Sequence, residues 1–308
     1  MTASATHAIS RIRLAIAGVL LIASLEVVVG VSAGSLALLS DAGHLVTDSA
    51  TLALTWYALS RSRRPAGASH TFGHHRNGIL VAAVNGAFLV VVAAAVAVGA
   101  VTRLQHPVTV SPEPVIVVAG LALAVNTSIA YALHGAGAGL GVRSAALHVV
   151  ADALTDAAVI VGAVAILWFG FTRADAIVSL VIAVLIFLGA LRLLGEATHI
   201  LNEATPRGID IDVVRQSIAV VPGVEGVHDL HIWSLDREHR ALSVHILVAN
   251  RPLDEVTAMI RSVEQMLCAE FRIEHATVQP ECPSCSDEPA LYCDLDGRHE
   301  LVHGAGRH

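Results

Sequence analysis

The chain has 308 residues, of which 55% are hydrophobic and only 15% charged, and it carries 17 histidines. Soluble globular proteins carry roughly 25% charged residues, so much of this surface is expected to face lipid; disorder, a collagen repeat and a disulfide-built miniprotein are excluded. Charge is unevenly placed, because residues 1–200 hold 10 Arg against 8 acidic residues while residues 201–308 hold 9 Arg against 18, with no Lys in either part.

With no basic cluster beyond Arg61, Arg63 and Arg64, nucleic acid is not an expected partner. Cys268, Cys282, Cys285 and Cys293 all fall in the acidic part and read as cytosolic thiols.

A membrane span needs about 20 mostly apolar residues. Such stretches run over 13–33, 38–60, 78–102, 114–134, 144–169 and 175–195, which predicts six membrane helices within a domain of residues 13–200 after a short cytoplasmic N-terminus of residues 1–12. Arg11 and Arg13 before the first stretch resemble a signal peptide, but Glu26 and the continuation past Val31 favour an uncleaved span. With the N-terminus inside, the inner flanks hold Arg11, Arg13, Arg61, Arg63, Arg64, Arg76, Arg143 and Arg192, and the outer flanks only Arg103 and Arg173. The positive-inside rule therefore predicts a multi-pass protein of the cell membrane with both termini cytoplasmic.

Pro206-Arg207-Gly208 marks a linker, and the chain beyond it changes pattern. Helical spacing over 209–221, strands over 226–235 and 240–249, a helix over 253–271 and a strand over 273–280 predict a small αββαβ domain of the α+β class, residues 205–282. Residues 283–308 read as a polar Cys/His-containing tail.

Ionisable residues inside spans are costly and are functional candidates by default. The second stretch contains His44-x-x-x-Asp48 and the fifth His148-x-x-x-Asp152. Residues i and i+4 share one helix face, so each pair offers one imidazole and one carboxylate to the same spot. Two pairs supply the four ligands a tetrahedral Zn²⁺ takes, and the donor types suit Zn²⁺ and neighbouring divalent metals. The competing reading makes each pair a buried contact between helices.

These residues resemble the cation diffusion facilitators. The likeness rests on Gly34-Ser-Leu-Ala-Leu-Leu-Ser-Asp41-Ala-Gly-His44 through Asp48, Phe72-Gly-His74, His148-x-x-x-Asp152, Ala174-Asp-Ala-Ile-Val-Ser179 and Gly226-Val-His-Asp-Leu-His-Ile-Trp233, and spans about residues 10–282. The resemblance implies a six-helix transporter domain with a metallochaperone-like, ferredoxin-like cytoplasmic domain, working as a homodimer in the lipid bilayer. It further implies a Zn²⁺/H⁺ antiporter that exports zinc by alternating access, with Cd²⁺ or Co²⁺ as alternative cargo and His44, Asp48, His148 and Asp152 as transported-metal ligands. An intramembrane metal-dependent enzyme and a passive metal sensor are readings of another class; no H-E-x-x-H helix supports the first.

Glu26, Asp156 and Asp175 are candidates for proton relay or for support of the metal ligands, against a plain interhelical contact. His70 and His74 in the loop after the second span are a candidate transient metal site, although Gly67 stands where some relatives have an Asp. In the cytoplasmic domain His228, His231, His245, His275 and the pair Cys282-x-x-Cys285 are candidates for a regulatory Zn²⁺ site, with Cys293, His299 and His303 as further ligands; a redox role is the alternative for the Cys pair.

Overall fold

The computed structural model describes residues 20–47, 67–134 and 140–282, with Gly18 and Ser49; for 132–134 and 140–148 only the helical backbone is described. The chain divides into two compact units after Ala197.

The first unit is helical. Helix α1 (Leu20–Ala33) turns at Gly34 into α2 (Leu36–Thr47), followed by α3 (Asn77–Gln105), α4 (Pro112–His134), α5 (Leu140–Phe169) and α6 (Ala174–Leu201). α3 to α6 are long and apolar enough to cross a membrane; α1 and α2, over the residues described, are apolar but shorter. All six lie within the stretches expected from sequence or overlap them. Val27, Val31, Phe88, Val91, Val98 and Leu185 stand exposed on the outside of this unit, as side chains facing lipid should.

Inside, the helices meet through small residues. Ala33, Ala37, Ala119 and Ala163 are buried together with Leu38, Val115 and Ile182, since lipid provides no hydrophobic drive and close van der Waals fit must hold the helices. Two glycines make closer approach obligatory. A Cβ at Gly86 would stand 2.9 Å from Leu194 of α6, and one at Gly162 would stand 2.9 Å from Val178 of the same helix.

The second unit follows Gly208, whose φ of +85° suits a residue without Cβ. It contains α7 (Ile211–Ala219), β1 (Val224–Ser234), β2 (Arg240–Val248), α8 (Leu253–Phe271) and β3 (His275–Glu281), the αββαβ order expected. The Asp210 side chain starts α7 by accepting from the N–H groups of Asp212 and Val213. β2 is central, antiparallel to β1 and parallel to β3.

Alternation along β2 buries Leu242, Val244, Ile246 and Val248 on one face. Against them pack Val214 and Ile218 of α7 and Val256, Met259, Val263 and Leu267 of α8, apolar positions recurring at helical spacing. The opposite face of the sheet carries His245.

Candidate metal centre

His44 lies on α2 and Asp152 on α5. The two helices bring His44 and Asp152 together, His44 Nε2 standing 3.7 Å from Asp152 Oδ1. Asp152 is buried, and His44 is half-buried. Two residues predicted from separate segments, more than 100 positions apart, thus share one spot inside the helical unit. Asp48 and the His148 side chain lie outside the described residues.

Around this pair the helices bury further polar residues. Asp156, one turn beyond Asp152, is fully buried and accepts from the Asn126 side-chain amide at 2.9 Å. Glu26 of α1 is fully buried as well. Thr47 Oγ1 donates to the Gly43 carbonyl at 2.6 Å, a side-chain bond to the preceding turn of α2.

Asp175 lies at the start of α6 and caps another helix. Its carboxylate accepts from the Ser35 hydroxyl, from Leu36 N at 2.8 Å and from Ala37 N at 3.4 Å, which are donors at the N-terminus of α2 left without intrahelical partners. Arg103 of α3 stands 3.5 Å from the same carboxylate and donates to the Gly34 carbonyl, closing the arrangement over the α1–α2 turn. Sequence position alone gave no sign of this capping partner.

In the loop before α3, Gly67 and His70 pair backbone to backbone and the His70 and His74 rings lie 4.2 Å apart between centroids. The two candidate loop ligands are therefore adjacent.

In the sheet unit His228 and His245 are direct cross-strand partners, their rings 5.3 Å apart between centroids. Glu281 on β3 completes the group, its carboxylate 3.1 Å from His228 Nε2 and 2.9 Å from His245 Nδ1. Its alignment follows from the register, since Leu247 pairs with Glu281 and His245, two residues earlier, shares that face.

Asp229, at φ +48° where β1 departs from regular pairing, reaches His231 Nε2 at 2.9 Å and His245 Nε2 at 3.5 Å. Sequence reading found the histidines but missed Glu281 and Asp229; the available signal was an acidic residue directly beside a candidate ligand, Asp229 next to His228 and Glu281 next to Cys282. His275 pairs in register with Ala241, at the other end of β3 from Glu281, and does not join this group. Cys282 directly follows Glu281, while Cys285, Cys293, His299 and His303 lie outside the described residues.

Residues 12–202 match the cation efflux transmembrane domain, and residues 206–282 match the cytoplasmic domain of cation efflux proteins. The chain therefore belongs to the cation efflux, or cation diffusion facilitator, family: a membrane transporter with a helical transmembrane domain and a small cytoplasmic domain, and not an enzyme.

Among its relatives is the zinc transporter ZitB of Escherichia coli (strain K12), 36% identical over 84% of this chain and 83% of that protein. Another is the metal cation efflux system protein CzcD of Cupriavidus metallidurans, 36% identical over 91% and 88%. A cadmium, cobalt and zinc/H(+)-K(+) antiporter of Bacillus subtilis (strain 168) is 32% identical over 87% and 88%. The solved metal-bound C-terminal domain of the Cupriavidus CzcD transporter matches 24% of this chain and 99% of its own length at 36% identity, with a TM-score of 0.22.

Proposed function

We propose that this efflux transporter exports Zn²⁺ from the cytoplasm in exchange for protons, with His44, Asp48, His148 and Asp152 as the ligands of the transported ion. The observation that carries this reading is the approach of His44 to Asp152 across two helices. Zinc takes imidazole nitrogen and carboxylate oxygen in four-coordinate sites. The relatives named as zinc transporters and as a cadmium, cobalt and zinc antiporter support the cargo class. Cd²⁺ and Co²⁺ are the alternative cargo on the same grounds.

Coupling follows from competition. An imidazole, ordinarily of pKa about 6.5, must be neutral to bind metal and can take a proton once the metal has left. One site opened alternately to each side then exchanges metal for protons without a separate machine.

The protein works in this reading as a homodimer in the cell membrane, its termini cytoplasmic. His70 and His74 form a transient loading site beside α3. His228, His245 and Glu281 hold a regulatory Zn²⁺ in the cytoplasmic domain, three ligand atoms lying within 4.8 Å of one another.

The test is flux into liposomes carrying the full-length protein, with an imposed pH gradient and Zn²⁺, Cd²⁺, Co²⁺ and Mn²⁺ offered in turn. Zn²⁺ uptake should rise with the gradient, and His44→Ala and Asp152→Ala should each lose it. His148→Asp, which trades imidazole for a harder oxygen ligand, should shift preference towards Mn²⁺. Gradient-independent binding without flux would instead make the protein a passive sensor, and wild-type rates in both alanine variants would overturn the ligand assignment.

A further inference from the structure

Glu26 of α1, Asp41 of α2 and Asp156 of α5 converge in the transmembrane unit. One oxygen from each lies within 4.8 Å of the others, and the three residues are 0%, 3% and 0% exposed. Both carboxylate oxygens of Glu26 are buried and accept no hydrogen bond from the described residues. Among those residues no arginine or histidine pairs with any of the three; Arg103 is engaged by Asp175 and the Gly34 carbonyl. The Asn126 amide, bonded to Asp156, supplies only a partial charge.

A buried carboxylate without a partner is expensive, and three sharing one spot also repel. The arrangement calls for a compensating cation. All three donors are oxygen, a set that accepts divalent metals without the preference imidazole confers.

Its position is as telling as its composition. His44 meets Asp152 while Asp41 meets Asp156, so α2 and α5 run antiparallel and both steps, three residues back on α2 and four forward on α5, lead the same way. The carboxylates therefore stand about one helical turn, roughly 5.4 Å, from the His/Asp pair. With the termini cytoplasmic, as proposed above and on which the direction rests, this turn lies towards the outer side.

We propose that Glu26, Asp41 and Asp156 form a second, oxygen-only site that takes the transported divalent cation from the His44/Asp152 pair on its way out. An ion leaving imidazole meets anionic ligands within a short step, so it need not cross the apolar interior unliganded. The outer site, lacking nitrogen donors, holds it more weakly and releases it.

Equilibrium dialysis of the purified full-length protein against Cd²⁺ tests this directly. Glu26→Gln and Asp41→Asn should each bind one ion fewer per chain than wild type, and the same loss should appear again when either is combined with His44→Ala. Glu26→Asp, which keeps the charge, should restore the ion. Gel filtration checks folding, and where Glu26→Gln disturbs it the Asp41→Asn count decides.

Unchanged stoichiometry in folded Glu26→Gln or Asp41→Asn would overturn the proposal and leave the cluster filled by protons alone. The transport reading would then survive if His44→Ala still abolished proton-driven flux. An ion lost in these variants alongside absent wild-type flux would separate the two in the opposite sense.

Discussion

At the scale of single residues, the molecule separates carboxylates that look alike in sequence. Asp152 and Asp175 are both acidic residues within apolar helices, yet the first faces an imidazole and the second caps a helix from a neighbouring one. The cap matters because α2 carries His44, and its first N–H groups have no acceptor within their own helix. Replacing Asp175 by Ala leaves two backbone donors and the Ser35 hydroxyl unsatisfied, at about 1–3 kcal/mol for each buried group. Asp175→Ala is therefore expected to lower the thermal midpoint of the detergent-solubilised protein while leaving the number of bound metal ions unchanged; an unaltered midpoint would show that the cap contributes nothing.

At the scale of elements, the sheet positions its histidines by register. Period-two alternation sends Leu242, Val244 and Ile246 into the helix-covered core and His245 to the opposite face, and antiparallel pairing sets His228 opposite it. Only the parallel addition of β3 brings Glu281 in, 36 positions along the chain from His245. Glu281→Gln should weaken Zn²⁺ binding to this domain at least tenfold, read by calorimetry on the full-length protein, because one anionic ligand becomes a weak neutral one. An affinity equal to wild type would remove Glu281 from the ligand set.

The connection between β1 and β2 holds a second electrostatic element. The His239 imidazole bonds Asp236 at 2.9 Å, with Glu274 a further 3.8 Å away, and the Asp236 hydrogen bond raises the His239 pKa above 6.5 despite some burial. Burial opposes the Asp236 charge, but the N–H groups of His239 and Glu238, together with the imidazole, outweigh it and hold that pKa below 3.8.

The raised His239 value means a contribution fully present below pH 6.5 and lost as pH rises through the folded value. The lowered Asp236 value means one present above pH 3.8 and lost as pH falls through the folded value. Titration of the His239 ring protons by NMR should give a pKa above 6.5 that returns towards it in Asp236→Asn. A value at 6.5 in both proteins would show the ion pair to be absent in solution.

At the scale of the whole molecule, the hydrophobic runs and the arginine pattern already specified a transmembrane helical domain, and Pro206-Arg207-Gly208 preceded the change to αββαβ. Those features are local: apolar length and periodicity report on the environment of each segment by itself. The His-x-x-x-Asp repeat was legible for the same reason, since helix geometry fixes which residues share a face.

Beyond the convergence of the two His/Asp pairs, which the resemblance implied, partners across elements were not legible. That Glu26 joins Asp41 and Asp156, that Asp175 caps α2 and that Glu281 completes the histidine pair all depend on which helices and strands become neighbours. Residue type and spacing thus determined the elements and the membrane class. Only the tertiary structure decided which carboxylate meets an imidazole, which a helix end and which other carboxylates, because those contacts are set by packing between segments far apart in the chain.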